Sequence, residues 1–203
     1  MFKIKLIVIG NTQVGKSSII KQYITGSYNI EKMKNKTINI QNKEILFFDT
    51  QINLEILDIP YSYNKKEFTQ ILSQNINIVL LVYDITNKKS FNDLSQYYNS
   101  ISKNNNIKNI IFGIVGNKND LLDNRNISKE EGEKYAETIG GYFYESSSTN
   151  HNNIKIIFEG LSKLFYYKTK LEDDKNILFS GEEIISDDDG TYKGQLINDI
   201  KNG

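Results

Sequence analysis

A chain of 203 residues and 23.4 kDa has the length of one domain with a tail, enough to bury a sizeable core. Its 25 basic and 25 acidic side chains balance, so no overall charge draws it to nucleic acid or to an anionic membrane surface. With no cysteine there is no disulfide, no thiolate metal site, no thiol nucleophile and no attachment point for a prenyl or palmitoyl chain, so no direct lipid anchor is expected. The first apolar run is too short for a secretory signal, Phe2 does not accept myristate, and no stretch approaches the ~18 apolar residues of a spanning helix. A cytoplasmic protein is expected, recruited to membranes only through a partner.

In chain order, "KIKLIVIG" (3–10) is a nearly continuous apolar run, as a strand buried on both faces requires. "KEILFF" (43–48) and "INLEIL" (52–57), with Asp49 and Thr50 between them, predict an antiparallel hairpin in which Ile52, Leu54 and Ile56 face inward. "NIVLLVYD" (77–84) and "NIIFGIVGN" (109–117) repeat the buried-strand pattern. Phe91, Leu94, Tyr98 and Ile101 recur at helical spacing. Ser128 with Glu131 predicts a capping box opening a helix that stops at Gly140 and Gly141. A last helix runs from about Asn153 to Lys168, with Ile154, Ile157, Phe158, Leu161, Leu164 and Phe165 on its apolar side. Strands alternating with amphipathic helices predict an α/β domain over residues 1–170, followed by an acidic, flexible tail over 171–203.

Chemistry enters with "GNTQVGKSS" (10–18), which follows the first strand, opens the first helix and matches G-x-x-x-x-G-K-S/T. The phosphate-binding set is Gly10, Thr12, Gln13, Val14, Gly15, Lys16, Ser17 and Ser18. Loop N–H groups and the helix amino terminus suit phosphate oxygens, Lys16 neutralises β/γ charge, and the Ser17 hydroxyl can ligate Mg2+. "GNKND" (116–120) ends a buried strand and therefore lies on the same carboxyl edge of the sheet. Asp120 can accept two parallel N–H bonds, from guanine N1 and its exocyclic amine, a pair of donors adenine lacks. Asn117 can bond the base and the loop backbone, and the aliphatic stem of Lys118 can lie along the ring.

These motifs, with "VYDITNKKSF" (82–91), "SKEEGEKYAETIG" (128–140) and "YESSS" (144–148), resemble a Ras-superfamily small GTPase, and within it the Rab branch, over residues 3–168. The resemblance implies a P-loop NTPase G domain, a mixed, mostly parallel six-stranded sheet flanked by helices. It also implies GTP and GDP as ligands, Mg2+, and effector and regulator proteins as partners. It places Ser147 and Ser148 near the base, with Thr149 where the family has lysine. It places Thr37 where a hydroxyl meets the metal and an N–H meets the γ-phosphate, and Asp58 where an acid of D-x-x-G holds the metal through water.

Beyond Asp58 the chain departs from the family. Tyr61 stands at the glycine of D-x-x-G and Ser62 at the glutamine that orients attacking water. A Cβ and a phenol ring oppose close approach of backbone to the γ-phosphate, and Ser62 is too short to align water as an amide does. Arg125, the single arginine, is expected on the base side and so supplies no internal finger. Gln51, assigned to the hairpin turn, and Gln70 and Gln74, on a predicted helix, are poor substitutes for the missing amide. His151 reads as a solvated loop residue. The expectation is a nucleotide-dependent switch or partner-binding protein in membrane-traffic-type signalling, with slow or defective GTP hydrolysis. The alternatives are an ordinary GTPase whose partner supplies Arg and Gln, or a pseudo-GTPase scaffold.

Overall fold

The computed structural model describes residues 1–27, 37–60, 75–103 and 109–173. Tyr61, Ser62, Gln70, Gln74 and the tail beyond 173 lie outside the described residues. The chain divides into two compact units, Met1–Tyr166 and Tyr167–Gly203, and of the second only residues 167–173, the end of a helix, are described.

Among the described residues the chain runs β1 (Phe2–Ile9), α1 (Lys16–Thr25), β2 (Asn39–Phe47), β3 (Thr50–Asp58), β4 (Ile78–Asp84), α2 (Lys88–Asn92), α3 (Leu94–Ser102), β5 (Ile111–Asn117), a single 3-10 turn (Leu122–Asn124), α4 (Lys129–Thr138), β6 (Tyr142–Ser146) and α5 (His151–Asp173). The six strands form one sheet in the order β2-β3-β1-β4-β5-β6. β2 pairs antiparallel with β3, and every other pairing is parallel. This is the mixed, mostly parallel architecture that the resemblance implies.

Strand sequence follows strand position. All seven residues of β4 and all seven of β5 are buried, because helices cover both faces of the parallel core. One face collects Ile7, Leu57, Leu81, Ile114, Leu94, Ile101 and Ala136, so α2, α3 and α4 cover it. On the other face Leu161 of α5 meets Leu80 at Gly113, and Tyr23 of α1 stacks on Phe158 of α5 at 4.5 Å. Each fully buried Leu or Ile here contributes roughly 1.5 to 3 kcal/mol relative to exposure. The hairpin alternates as predicted, with Ile52, Leu54 and Ile56 at zero exposure. Its turn is Phe48-Asp49, with Phe48 at φ 47.

Local signals set the helix ends. The Ser128 side chain accepts from the Glu131 N–H and the Glu131 carboxylate accepts from the Ser128 N–H, completing the predicted capping box. Gly140, at φ 64, takes the chain out of α4. The single helix expected around Phe91 to Ile101 is two short ones that meet at Asp93. The last helix begins two residues earlier than predicted and runs to Asp173.

Candidate functional site

Strands β1, β3, β4 and β5 all end at one edge of the sheet, and the residues that follow them form the site. Gly10 follows β1 at φ 152, and a Cβ there would lie 2.1 Å from the Val82 carbonyl oxygen of the neighbouring strand. Only glycine lets the loop leave so close to β4. Gln13 (φ 63) and Gly15 (φ 97) are both left-handed, so the loop is curled, the kind of backbone from which anion-binding concavities are built. Gln13 holds this conformation with a side chain, a local strain that accumulates at ligand sites. Gly15 is also the amino-terminal cap of α1 and offers no side-chain acceptor, and the first turn contains no acid. The helix amino terminus therefore keeps its N–H groups and its positive end for an external anion.

Lys16 turns back over the loop, its ammonium donating to the carbonyls of Gly10 and Asn11 at 2.8 Å each. The residue is 8% exposed. Burial pulls its pKa down to about 8, against the opposing pull of Asp58. The Ser17 hydroxyl donates to the Asp58 carboxylate, and Asp58 is itself buried at the end of β3. Asn39 is the register partner of Asp58, which sets the exposed Thr37 just beyond the strand pair at the same edge. Among the described residues no group of three or more histidines and acids forms a protein metal cage. One hydroxyl and one carboxylate, both hard oxygen donors, fit Mg2+, which is ordinarily held by one or two carboxylates together with phosphate oxygens.

The second half of the site is tied to the first through Asn117. Its amide donates to the Val14 carbonyl at 2.8 Å, its carbonyl accepts from the Ser146 hydroxyl at 3.1 Å, and it has no exposed surface. Phosphate loop, "NKND" loop and "ESSS" loop are thus joined through one side chain. Lys118 follows at φ 66, and its ammonium pairs with Asp84 at 2.6 Å. Burial pushes Asp84 up, but the Lys118 ammonium together with the Thr86 N–H and hydroxyl outweighs it and holds the carboxyl below the ordinary range. Asp120, just after β5, is exposed. Ser147 and Ser148 are buried, and Ser147 shares a 2.7 Å hydrogen bond with the Thr149 hydroxyl. Thr149, standing where the family has lysine, therefore braces the loop.

Arg125 forks onto Glu145 through two hydrogen bonds, 2.6 and 3.0 Å, and also donates to the Ile127 carbonyl. Its guanidinium is committed beside β6. Gln51 is a β3 residue and not part of the turn. It donates to Glu44 across the hairpin at 2.8 Å and lies roughly 23 Å along the strand from Asp58. His151 opens α5 and donates from Nδ1 to the Gln22 carbonyl at 3.1 Å, so it is a half-buried helix-end contact and not a solvated loop residue.

Two contributors were not picked out from the sequence. Asn11 is buried, donating to Asp93 at 2.8 Å and accepting from Tyr97 at 3.0 Å, which fastens the phosphate loop to the α2–α3 junction. Asp84 ends β4 as Asp58 ends β3, and an acid closing an apolar run was the signal available for it.

An α/β sheet with this phosphate loop after β1 and a linked second loop after β5 defines a P-loop nucleotide-binding protein. A family model for the Ras family matches residues 5–166, and the chain belongs to that family. It is a Rab-like small GTPase. It is similar to the Ras-related protein RabQ of Dictyostelium discoideum, 32% identical over 80% of this chain and 79% of that one. It is 29% identical to the Ras-related protein Rab-3 of Caenorhabditis elegans over 86% of this chain and 80% of that one. It is 32% identical to the human Ras-related protein Rab-3A over 79% of this chain and 72% of that one. Among the described residues no helix is long and apolar enough to cross a membrane.

Proposed function

We propose that the chain binds GDP and GTP with Mg2+ between the phosphate loop and Asp120, presents nucleotide-dependent surfaces to effector and regulator proteins, and hydrolyses GTP slowly by itself. The observation that supports the reading is the Asn117 bridge, which ties the base loop to the phosphate loop at one end of the sheet. Ser17, Thr37 and, through water, Asp58 would hold the metal, whose positive charge favours the phosphate-bound form. Lys16, Gly10, Thr12, Gln13, Val14, Gly15 and Ser18 would hold the phosphates. Asn117, Lys118, Asp120, Ser147 and Ser148 would hold guanine, with Asp120 selecting it over adenine.

Slow turnover follows from what stands at two positions. Tyr61 and Ser62 supply neither a close-approaching glycine backbone nor a water-aligning amide, and Arg125 is occupied by Glu145. Loss of such an amide lowers hydrolysis by orders of magnitude while leaving affinity to the loops. With no cysteine in the chain, recruitment to membranes in a Rab-type role would pass through a partner. The test is to load the protein with labelled GTP and follow phosphate release in a single turnover. Release as fast as an ordinary small GTPase refutes slow chemistry, and equal competition by ADP and GDP refutes the guanine site.

A further inference from the structure

Lys118 is held at both ends. Its backbone is fixed in the left-handed region by three hydrogen bonds around it: Ile85 N–H to the Asn117 carbonyl at 3.1 Å, Asn119 N–H to the Ser146 carbonyl at 3.0 Å, and Leu121 N–H to the Lys118 carbonyl at 2.9 Å. Its ammonium is fixed by Asp84 Oδ2 at 2.6 Å. That carboxylate is itself immobilised, because Oδ1 accepts from the Thr86 N–H at 2.9 Å and the Thr86 hydroxyl at 2.7 Å. Asp84 and Asn117 are direct register partners on β4 and β5, so the acid lies beside the residue that joins the loops.

Exposure shows what this arrangement leaves open. The Asp84 side chain is 9% exposed, whereas the Lys118 side chain is 32% exposed. The charged tip is satisfied by protein and part of the side chain remains available to a ligand. A free lysine would have to be ordered by its ligand, and ordering such a side chain weakens binding.

We propose that Asp84 is a positioning residue for the base pocket, acting by fixing the Lys118 stem along the plane where the nucleobase lies. The inference rests on the guanine-nucleotide reading above. Asp84 itself touches no ligand; it acts through Lys118. Releasing the ammonium returns the side chain to many rotamers, and the expected loss of affinity is roughly three- to tenfold. Because the stem meets the ring face and not the 2-amino group, GDP and IDP lose the same factor.

The experiment compares wild type, Asp84→Asn, Lys118→Ala and the double variant by calorimetry with GDP and with IDP, alongside thermal unfolding without nucleotide. The expected result is that Asp84→Asn weakens both nucleotides equally in the wild-type background and weakens neither further once Lys118→Ala is present. An equal loss in both backgrounds, or a lowered unfolding temperature with unchanged affinity, overturns the proposal and leaves a purely structural ion pair. Should Asp84→Asn fail to fold, Thr86→Val removes one anchor from a half-buried turn, and its smaller loss must likewise vanish beside Lys118→Ala. Absence of GDP binding by wild type overturns the nucleotide reading as well, whereas binding with additive losses overturns this proposal alone.

Discussion

Replacing Lys16 with Met should stabilise the nucleotide-free protein while removing its affinity for nucleotide. Lys16 is 8% exposed and its pKa falls from 10.5 to about 8, chiefly because burial disfavours the ammonium. Between those two values the unfolded chain holds the proton and the folded chain does not, so stability rises with pH across that window. Below pH 8 the lysine is charged in both states, and the folded one bears the full cost of desolvation. The difference corresponds to about 3 kcal/mol at neutral pH. Methionine fills a similar volume without charge and escapes that cost.

For a domain of this size about 3 kcal/mol is worth roughly 6 to 12 °C in unfolding temperature. The assay is thermal unfolding of nucleotide-free wild type and Lys16→Met from pH 6.5 to 10. The difference between the two proteins isolates Lys16, since the buried tyrosines, whose pKa values burial raises, titrate identically in both. The variant should be more stable at pH 7, with the gap closing as pH climbs from about 8 toward 10. A variant no more stable than wild type at pH 7, or a gap constant with pH, refutes the reasoning. Calorimetry with GDP should show the opposite ranking, because a bound phosphate supplies the counter-charge that the empty loop lacks.

Gly15→Ala would place a Cβ 2.2 Å from the Asn117 amide nitrogen on a backbone at φ 97, displacing the bridge to Val14; GDP affinity by calorimetry should fall roughly 10- to 100-fold. Arg125→Ala breaks a two-bonded, mostly buried pair with Glu145 and should cost about 1 to 2 kcal/mol in urea unfolding, with the single-turnover GTP rate unchanged. A rate lowered several-fold would make that arginine catalytic after all. Ser17→Ala removes the hydroxyl proposed to hold Mg2+, so its GDP affinity should be nearly the same with Mg2+ as with a chelator, where wild type should differ clearly between the two conditions.

The parts of this fold that sequence discloses are those whose cause is local or repeated. Strands β4 and β5 are buried on both faces throughout and β1 over its second half, and that condition writes a nearly continuous apolar run into each. The α4 boundary is equally plain, since Ser128 and Glu131 satisfy one another's backbone within a single turn. The division of α2 from α3 at Asp93 carries no comparable signal. The Asp93 side chain is engaged by Asn11, 82 residues away, and the local pattern of Phe91, Leu94 and Ile101 describes one continuous helix. The five-residue β6 was visible only through the family resemblance, because a strand that short has too few positions to show a period.

The site divides along the same line. Gly10 to Ser18 could be read because its residues are adjacent, whereas Asn117, expected to bond a loop backbone, reaches Val14 across 103 residues and Ser146 across 29, and no local pattern names those partners. Yet one physical rule would have reached further. A carboxylate that closes a buried strand is deprived of water, a cost tolerated only where a cation or strong donors stand opposite. Asp58 meets that condition with Ser17 nearby and Lys16 acting on it, and Asp84 meets it with Lys118 and Thr86. Applied evenly to "EILD" and "LVYD", the rule asks the same question of both acids: which charge does each one steer? For Asp58 the motif supplied the answer, and for Asp84 the structure supplies Lys118.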